Sequence, residues 1–391
     1  MIHKDFQGLS ISRLGMGCMR LPTTAPGHGA PIDRPKAVEI LEQVYENGVN
    51  YFDTAYMYHG GESERILGEV LPRFRRDSYF LADKMPGNMF AQIRKPYRVI
   101  FEEQLERTKA DHFDFYLLHN LNAETESLYG DEDLGIIPYL LEQKRRGRIR
   151  YLGFSNHAST PILTRFLDRF DCFDFVQLHL NYLDWTMQDA QGKYETVQAH
   201  GLPVWVMEPV RGGRLASLNP AADAVLQAAA PDRSVSSWAF RWLQSLPGVQ
   251  IVLSGMTTLD QAKDNLRTFA KPDPLSADEQ AALAKAVSLL KEDGMVPCTK
   301  CRYCDGCPQD LDIPELLALY NESRLGVSFA LMSGLNSVAE GRRPKDCIAC
   351  GECVPKCPQG IDIPGTFAEF AKKIETLPRF GPPPPPKPAT P

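Results

Sequence analysis

The chain holds 391 residues, 43% of them hydrophobic and 24% charged, with a formal charge of −6. That length admits more than one domain, and an acidic balance without a long lysine- or arginine-rich run argues against a nucleic acid partner. No stretch approaches the ~18 uninterrupted apolar residues of a membrane span, and the first residues carry no apolar signal core, so the expectation is a cytoplasmic protein with no membrane partner.

Residues 3–13 alternate weakly through Phe6, Leu9 and Ile11 around Gln7-Gly8, which predicts a hairpin. Residues 11–17 read as a strand ending in small residues, and the Pro- and Gly-rich residues 22–35 as a loop. Beyond it, helix-like and strand-like periods alternate. Helices are expected over 36–47, 63–73, 97–109, 135–146, 160–169, 187–200, 220–229, 234–245 and 259–269. Strands are expected over 49–53, 79–84, 113–118, 149–154, 173–179, 203–207 and 249–253. With residues 11–17 the strands number eight, the count of a parallel α/β (β/α)8 TIM barrel of about 250 residues. A doubly wound open sheet is the competing fold. Its glycine fingerprint is missing, because Gly15-Met16-Gly17 runs into Cys18-Met19-Arg20 rather than opening a helix.

Lys271-Pro272-Asp273-Pro274 ends the pattern, Ser276 and Glu279 cap one more helix to about residue 291, and a proline-rich run follows the last cysteines. The expected domains are 1–272 for the barrel, 273–375 for a small α-rich domain and 376–391 for an extended tail.

A parallel barrel gathers the polar residues at its C-terminal strand ends around one site. Here those ends supply Asp53 with Tyr58 just beyond it, Lys84, His119, Ser155 with Asn156, and Gln177. Any one of them has an ordinary structural reading, Asp53 as a turn residue for example. Together they suit carbonyl reduction, which needs a hydride donor, a proton donor and a group that fixes the oxygen. Tyr58 is the candidate acid. Lys84 is the cation expected to lower its pKa from about 10, Asp53 the anion that keeps Lys84 charged, and His119 the donor to the carbonyl oxygen.

Phe-Asp-Thr-Ala-x-x-Tyr with Gly-Glu-Ser-Glu over 52–64, Lys84, Leu-Leu-His at 117–119, Gly-Phe-Ser-Asn at 153–156 and Gln177 resemble the aldo-keto reductases over roughly residues 5–270. The resemblance implies a nicotinamide cofactor bound by a barrel, with Ser155, Asn156 and Gln177 on its carboxamide. It also carries over Gly17, Met19 and Pro209 as cofactor contacts, with Gln261 and Asn265 towards the adenosine. Met207 stands where the family commonly stacks an aromatic ring. Gly255 and Gln261 stand where NADP-preferring relatives offer a cation for the 2′-phosphate, and Arg211, Arg214 and Lys263 are the alternative sources. The cofactor expectation is therefore NAD(P)H with NADH slightly favoured. Tyr56, Tyr182 and Trp185 are candidates for an apolar substrate pocket.

Eight of the ten cysteines lie after residue 297, in two tight runs. A secreted disulfide framework would be spread through a small domain, so this is a metal pattern. Cys347-x2-Cys350-x2-Cys353-x3-Cys357-Pro358 is the bacterial ferredoxin ligand run, and zinc sites usually pair cysteines over a longer gap. The first run, Cys298-x2-Cys301-x2-Cys304-x2-Cys307-Pro308, is one residue shorter at its end. Gln309-Asp310-Leu311-Asp312-Ile313-Pro314 echoes Gln359-Gly360-Ile361-Asp362-Ile363-Pro364, so the domain reads as an internal repeat with a helical insertion near 314–342. Its resemblance to two-cluster ferredoxins implies two 4Fe-4S clusters, one on Cys298, Cys301, Cys304 and Cys357, the other on Cys347, Cys350, Cys353 and Cys307. The shortened spacing puts the reach of Cys307 in question. The whole chain reads as an oxidoreductase acting on a small carbonyl substrate, an aldehyde or ketone. Its cluster domain serves an external electron-transfer protein or docking. A nicotinamide- and redox-sensing regulatory subunit is the alternative.

Overall fold

The computed structural model describes residues 1–25, 30–292, 294–296, 298, 302–357 and 359–377. Two strands, β1 (His3–Phe6) and β2 (Leu9–Ser12), pair antiparallel as the expected hairpin. Then come β3 (Leu14–Gly17), β4 (Tyr51–Asp53), β5 (Phe80–Met85), β6 (Phe113–Leu121), β7 (Ile149–Asn156), β8 (Phe175–His179), β9 (Val204–Met207) and β10 (Val249–Ser254). These eight form a closed parallel barrel in chain order, with β10 returning to pair with β3.

Period-two alternation sorts each strand between two layers. Phe52, Leu81, Tyr116, Leu152 and Val176 face outward into the packing between strands and helices. Tyr51, Phe80, Phe115, Tyr151, Phe175, Trp205 and Ile251 face inward and fill the barrel. The hairpin seals its N-terminal end: the Phe6 ring lies 4.9 Å from Tyr151 and 5.1 Å from Trp205, and Lys4 donates to the Val249 carbonyl at 2.8 Å. With that end closed by aromatics, inward polar groups collect at the other.

The long helices of the barrel fall where the periodicity places them, and among the described residues three short ones are added, Phe90–Ile93, Asp184–Met187 and one after β6. β6 runs on to Leu121 through a register break after Leu118, where Asn120 takes a φ of 63°. A helix Ala123–Tyr129 follows, capped by Asn122, which accepts from the Glu124 and Thr125 amides, both at 2.9 Å. It carries no apolar stripe to reveal it.

By its contacts the chain divides into two compact units, Met1–Ala284 and the part beginning at Lys285. The division falls inside the helix Ala277–Glu292, whose first turn is held to the barrel by Arg241 donating to both oxygens of Glu279 at 2.6 and 2.7 Å. The second unit packs helices Ile313–Arg324, Phe329–Ser337 and Ile363–Thr376 around Leu316, Leu317, Tyr320, Phe367 and Phe370. The repeat is real in space: Asp312 and Asp362 each cap the helix that follows, accepting from Glu315 at 3.2 Å and Gly365 at 3.1 Å. Among the described residues no helix is long and apolar enough to cross a membrane.

Candidate active site and cluster cavity

The inward positions at the tops of β4, β5, β6 and β8 bring the candidate residues together. Lys84 is fully buried and ion-paired with Asp53 Oδ1, and its Nζ also donates to the Thr54 carbonyl at 2.7 Å. Gln177 Nε2 donates to the other oxygen of Asp53 at 3.4 Å. Tyr58 opens a short turn beyond β4, with its amide on the Ala55 carbonyl at 3.0 Å. Its ring lies 5.0 Å under the Lys84 ammonium and 5.9 Å from the His119 ring, edge to face. All four residues of the expected set meet.

Their electrostatics depart from expectation at Tyr58. Burial raises the phenol above 10, and the pull of Lys84 in the other direction does not offset it, because Asp53 and Glu208 also push upward. Burial alone would lower Lys84, but Asp53 beside it and the nearby phenol hold it above the ordinary lysine value. Burial raises Asp53, opposed by Lys84 and Gln177. His119 is pushed well below 6.5 by burial and then by Lys84, so its imidazole is neutral. The site therefore holds a protonated phenol, a charged lysine and a neutral imidazole at neutral pH.

Two supports were missed in the sequence. Tyr129, from the unforeseen helix, donates to the His119 carbonyl at 2.6 Å and accepts from the Gly87 amide at 3.1 Å, fastening β5 to β6 at the site. Behind Lys84, Asp83 faces outward and is buried with Glu64 between helices Glu62–Val70 and Tyr97–Thr108. Arg107 donates to Glu64 at 2.8 Å, and Gln104 donates to Asp83 at 2.7 Å. Burial and the adjacent Glu64 push Asp83 well above the carboxyl range, so it keeps its proton. The available signal was Asp83 itself, a carboxylate inside an apolar strand.

The cofactor candidates share the same end of the barrel. Ser155 and Gln177 are opposite one another across β7 and β8, and with Asn156 they are buried. Ser155 Oγ accepts from the Asn120 amide at 2.8 Å, and Asn156 bonds Ala158 in both directions at 3.3 Å. Gly17 ends β3 and Met19 follows it, exposed; Met207 ends β9, half-buried, with Pro209 buried just beyond. Gly255 is exposed after β10. Gln261 accepts from the Thr257 amide at 2.8 Å, and Asn265 donates to Ser254 at 2.9 Å. Arg211 is no cation for a 2′-phosphate: it is buried and donates to Asp184 at 2.9 Å, a carboxylate that also meets His179 at 3.1 Å. Two of the three aromatics proposed for the pocket serve elsewhere. The Tyr56 hydroxyl donates to Glu103 at 2.6 Å under the Arg107 guanidinium, and Trp185 packs on Tyr194 and Trp242. Tyr182 is buried with its hydroxyl unpaired among the described residues.

In the second unit, Cys304, Cys307, Cys347, Cys350 and Cys353 line one cavity, walled otherwise by Leu311, Ile363 and Phe367. Burial and the nearby Cys347, Cys350 and Cys307 raise the Cys353 thiol. Among the described residues no three His, Cys, Asp or Glu close around a single metal ion. Thiols spaced around an apolar cavity suit a cubane, whose four terminal thiolates lie further apart than the ligands of one ion. Cys298 and Cys357 pack against the same core, and Cys301 lies outside the described residues.

A closed parallel barrel whose C-terminal mouth holds a buried lysine–carboxylate pair, a phenol and an imidazole defines a barrel oxidoreductase. The aldo/keto reductase family model matches residues 13–288, and the chain belongs to that family of NAD(P)-dependent oxidoreductases. A 4Fe-4S dicluster domain matches residues 297–361. The Bacillus subtilis (strain 168) uncharacterized oxidoreductase YqkF is 26% identical over 305 residues, covering 70% of this chain and 92% of its own. The NADH-specific methylglyoxal reductase of Escherichia coli (strain K12) is 24% identical over 223 residues, 53% of this chain and 66% of its own. An aldo-keto reductase from Bacillus halodurans, solved in its holo form, matches with a TM-score of 0.56 at 26% identity, over 71% of this chain and 93% of that one.

Proposed function

We propose that the barrel reduces an aldehyde or ketone with NAD(P)H, or runs the reverse alcohol oxidation, and that its catalytic residues are Asp53, Tyr58, Lys84 and His119. The observation that carries this is the Lys84 ammonium, paired with Asp53 and 5.0 Å over the Tyr58 ring, with His119 beside that ring. A bound nicotinamide supplies the hydride. Tyr58 keeps its proton at neutral pH and gives it to the carbonyl oxygen as charge develops there. Lys84 stabilises the phenolate left behind, and Asp53 anchors Lys84. Neutral His119 donates a hydrogen bond that orients the carbonyl. Ser155, Asn156 and Gln177 hold the carboxamide, so that one ring face looks at the substrate. Gln177 also contacts Asp53, which couples cofactor orientation to the lysine.

NADH is slightly favoured over NADPH, with Arg214 and Lys263 as the remaining candidate cations for a 2′-phosphate. Neither Gly255 nor Gln261 offers a 2′-phosphate a cation, Arg211 is committed to Asp184, and the similar Escherichia coli reductase is NADH-specific. Two 4Fe-4S clusters are assigned to Cys298, Cys301, Cys304 and Cys357, and to Cys347, Cys350, Cys353 and Cys307. They serve one-electron exchange with a carrier protein, or docking to one. The domain limits 1–272 and 273–375 belong to the same reading.

The test is an anaerobic titration with NADH and, separately, NADPH, following cluster absorption, then addition of a carbonyl panel. Carbonyl-dependent nucleotide oxidation is expected, and Tyr58→Phe should lower it by about 10²–10⁴-fold while nucleotide still binds. Tight nucleotide binding with no turnover on any carbonyl would refute the reductase reading.

A further inference from the structure

Tyr58 is carried on an awkward piece of chain. The three residues after it, His59, Gly60 and Gly61, all take left-handed conformations, with φ of 52°, 66° and 93°. At His59 that conformation is uncommon for a residue with a side chain, and such a backbone persists only where its surroundings hold it. The side chain that supplies the hold is Arg107, near the end of the helix Tyr97–Thr108. Its Nη1 donates to the Tyr56 carbonyl at 3.4 Å and to Glu64 Oε2 at 2.8 Å, and its Nη2 lies 3.5 Å from Glu103 Oε2. The guanidinium also covers the Tyr56 ring, 4.2 Å from its centre. Two glycines make room for it. A Cβ at Gly61 would stand 2.8 Å from Nη1, and one at Gly68 would collide with the Arg107 carbonyl. The Arg107 side chain is 14% accessible and that of Glu64 0%, so water competes little for these bonds.

The same guanidinium is tied to both halves of the phenol–ammonium pair. Tyr56, whose carbonyl and ring it grips, is two residues before Tyr58. Glu64 in turn meets Asp83, and Asp83 accepts the Lys84 backbone amide at 2.8 Å. One planar cation therefore joins the segment bearing the phenol to the strand bearing the ammonium, which lies 5.0 Å from the phenol ring. Resting on the reductase reading above, we infer that Arg107 is the positioning residue that holds the Tyr58 ring against the Lys84 ammonium. It acts through Tyr56 and Glu64 and not on the substrate. A lysine there would keep a counter-charge for Glu64. It has no planar fork with which to reach the Tyr56 carbonyl, Glu64 and Glu103 together, nor to lie flat on the Tyr56 ring. A reacting group displaced by ~1 Å lowers the rate by up to about 10²-fold, so a loosened Tyr58 is felt in catalysis while the fold is kept.

The test compares the full chain with Arg107→Lys, Tyr58→Phe and the double variant, using NADH and a carbonyl that the unmodified protein turns over. Each rate is taken per nucleotide-binding site, so that misfolded protein does not count. Arg107→Lys should lower kcat by about 10–10²-fold and leave NADH binding unchanged. It should also enlarge the isotope effect from NADH deuterated at the transferred position, because the chemical step becomes limiting. In the Tyr58→Phe background the same substitution should cost nothing further, since no phenol remains to be held. Gly61→Ala pushes on Nη1 from the loop side and should show the same dependence on Tyr58, which keeps the test open if Arg107→Lys does not fold. An equal loss in both backgrounds would make Arg107 a structural residue only and overturn the assignment, as would an Arg107→Lys protein with unchanged kcat and isotope effect. An unmodified protein that turns over no carbonyl would bring down the reductase reading, whereas turnover indifferent to Arg107 brings down this inference alone.

Discussion

Replacing Lys84 with methionine removes the one cation that Asp53 has, while keeping the length of the stem. Both side chains are almost fully buried, 1% and 5% accessible, so the carboxylate left behind has no water to replace the ammonium. Breaking a buried pair in this way costs roughly 3–5 kcal/mol. With a urea slope of about 3 kcal/mol per M for a domain of this size, the barrel midpoint should fall by about 1 M or slightly more at pH 7. All four tryptophans, Trp185, Trp205, Trp238 and Trp242, lie in the first unit, so their fluorescence reports the barrel alone. The deficit should also depend on pH. Without Lys84, burial sets the Asp53 pKa above its unfolded value of about 3.9, so the folded variant holds a proton the unfolded chain has released. Its stability therefore rises as pH falls through the folded pKa, and the gap to the unmodified protein narrows from pH 8 to pH 5. Lys84→Met/Asp53→Asn removes both charges and should recover most of the loss. A double variant as unstable as the single one, or a gap that does not change with pH, would show that the ion pair is not what the substitution disturbs.

The neutral His119 and the raised Tyr58 set the pH profile of kcat/KM: no acid limb near 6.5 and a basic limb above about pH 10. A limb near 6.5 that vanishes in His119→Gln would refute the neutral imidazole. Iron analysis should give about eight atoms per chain and about four in Cys307→Ser; an unchanged iron content would remove Cys307 from the ligand set. Arg241 holds Glu279 down at about 2, so its stabilisation is complete above the unfolded pKa of about 4.5 and is lost as pH falls towards 2. Solvent screening at the partly exposed pair discounts that drop to about 1 kcal/mol. Glu279→Gln should be less stable in urea at pH 6 and should converge on the unmodified protein below pH 3, and a constant gap would contradict the assignment.

Much of this was legible because the barrel repeats one physical rule. A parallel barrel gathers the polar residues at its C-terminal strand ends around one mouth, so Asp53, Lys84, His119 and Gln177 stand out against the apolar strands they end. Cysteine spacing is equally local, and the echo of Asp312-Ile313-Pro314 in Asp362-Ile363-Pro364 marks the internal repeat, although the helix Ile363–Thr376 that begins at its second copy is seen only in the structure. What escaped depends on contacts between distant segments. Tyr129 and Gly87 are 42 positions apart, and nothing near either residue announces the other. Tyr56 and Trp185 look like pocket aromatics in sequence, because a residue past a strand end has no period to say which way it turns.

Asp83 shows why outward polar residues are the hardest to read. It is adjacent to Lys84, so on a strand it faces the opposite way, towards helices Glu62–Val70 and Tyr97–Thr108 rather than the site. Three ionisable groups meet there, Asp83, Glu64 and Arg107, and one cation neutralises only one carboxylate. Burial leaves the remaining charge no solvent, so the second carboxyl keeps its proton, and Asp83 is the one pushed well above its ordinary range. The consequence reaches the chemistry. An ionised Asp83 would put a second anion beside Lys84, compete with Asp53 for it, and draw its field away from the Tyr58 phenol. Kept neutral, Asp83 accepts the Lys84 backbone amide at 2.8 Å and leaves the ammonium to Asp53 and Tyr58. The outer layer thus supports the site by withholding a charge.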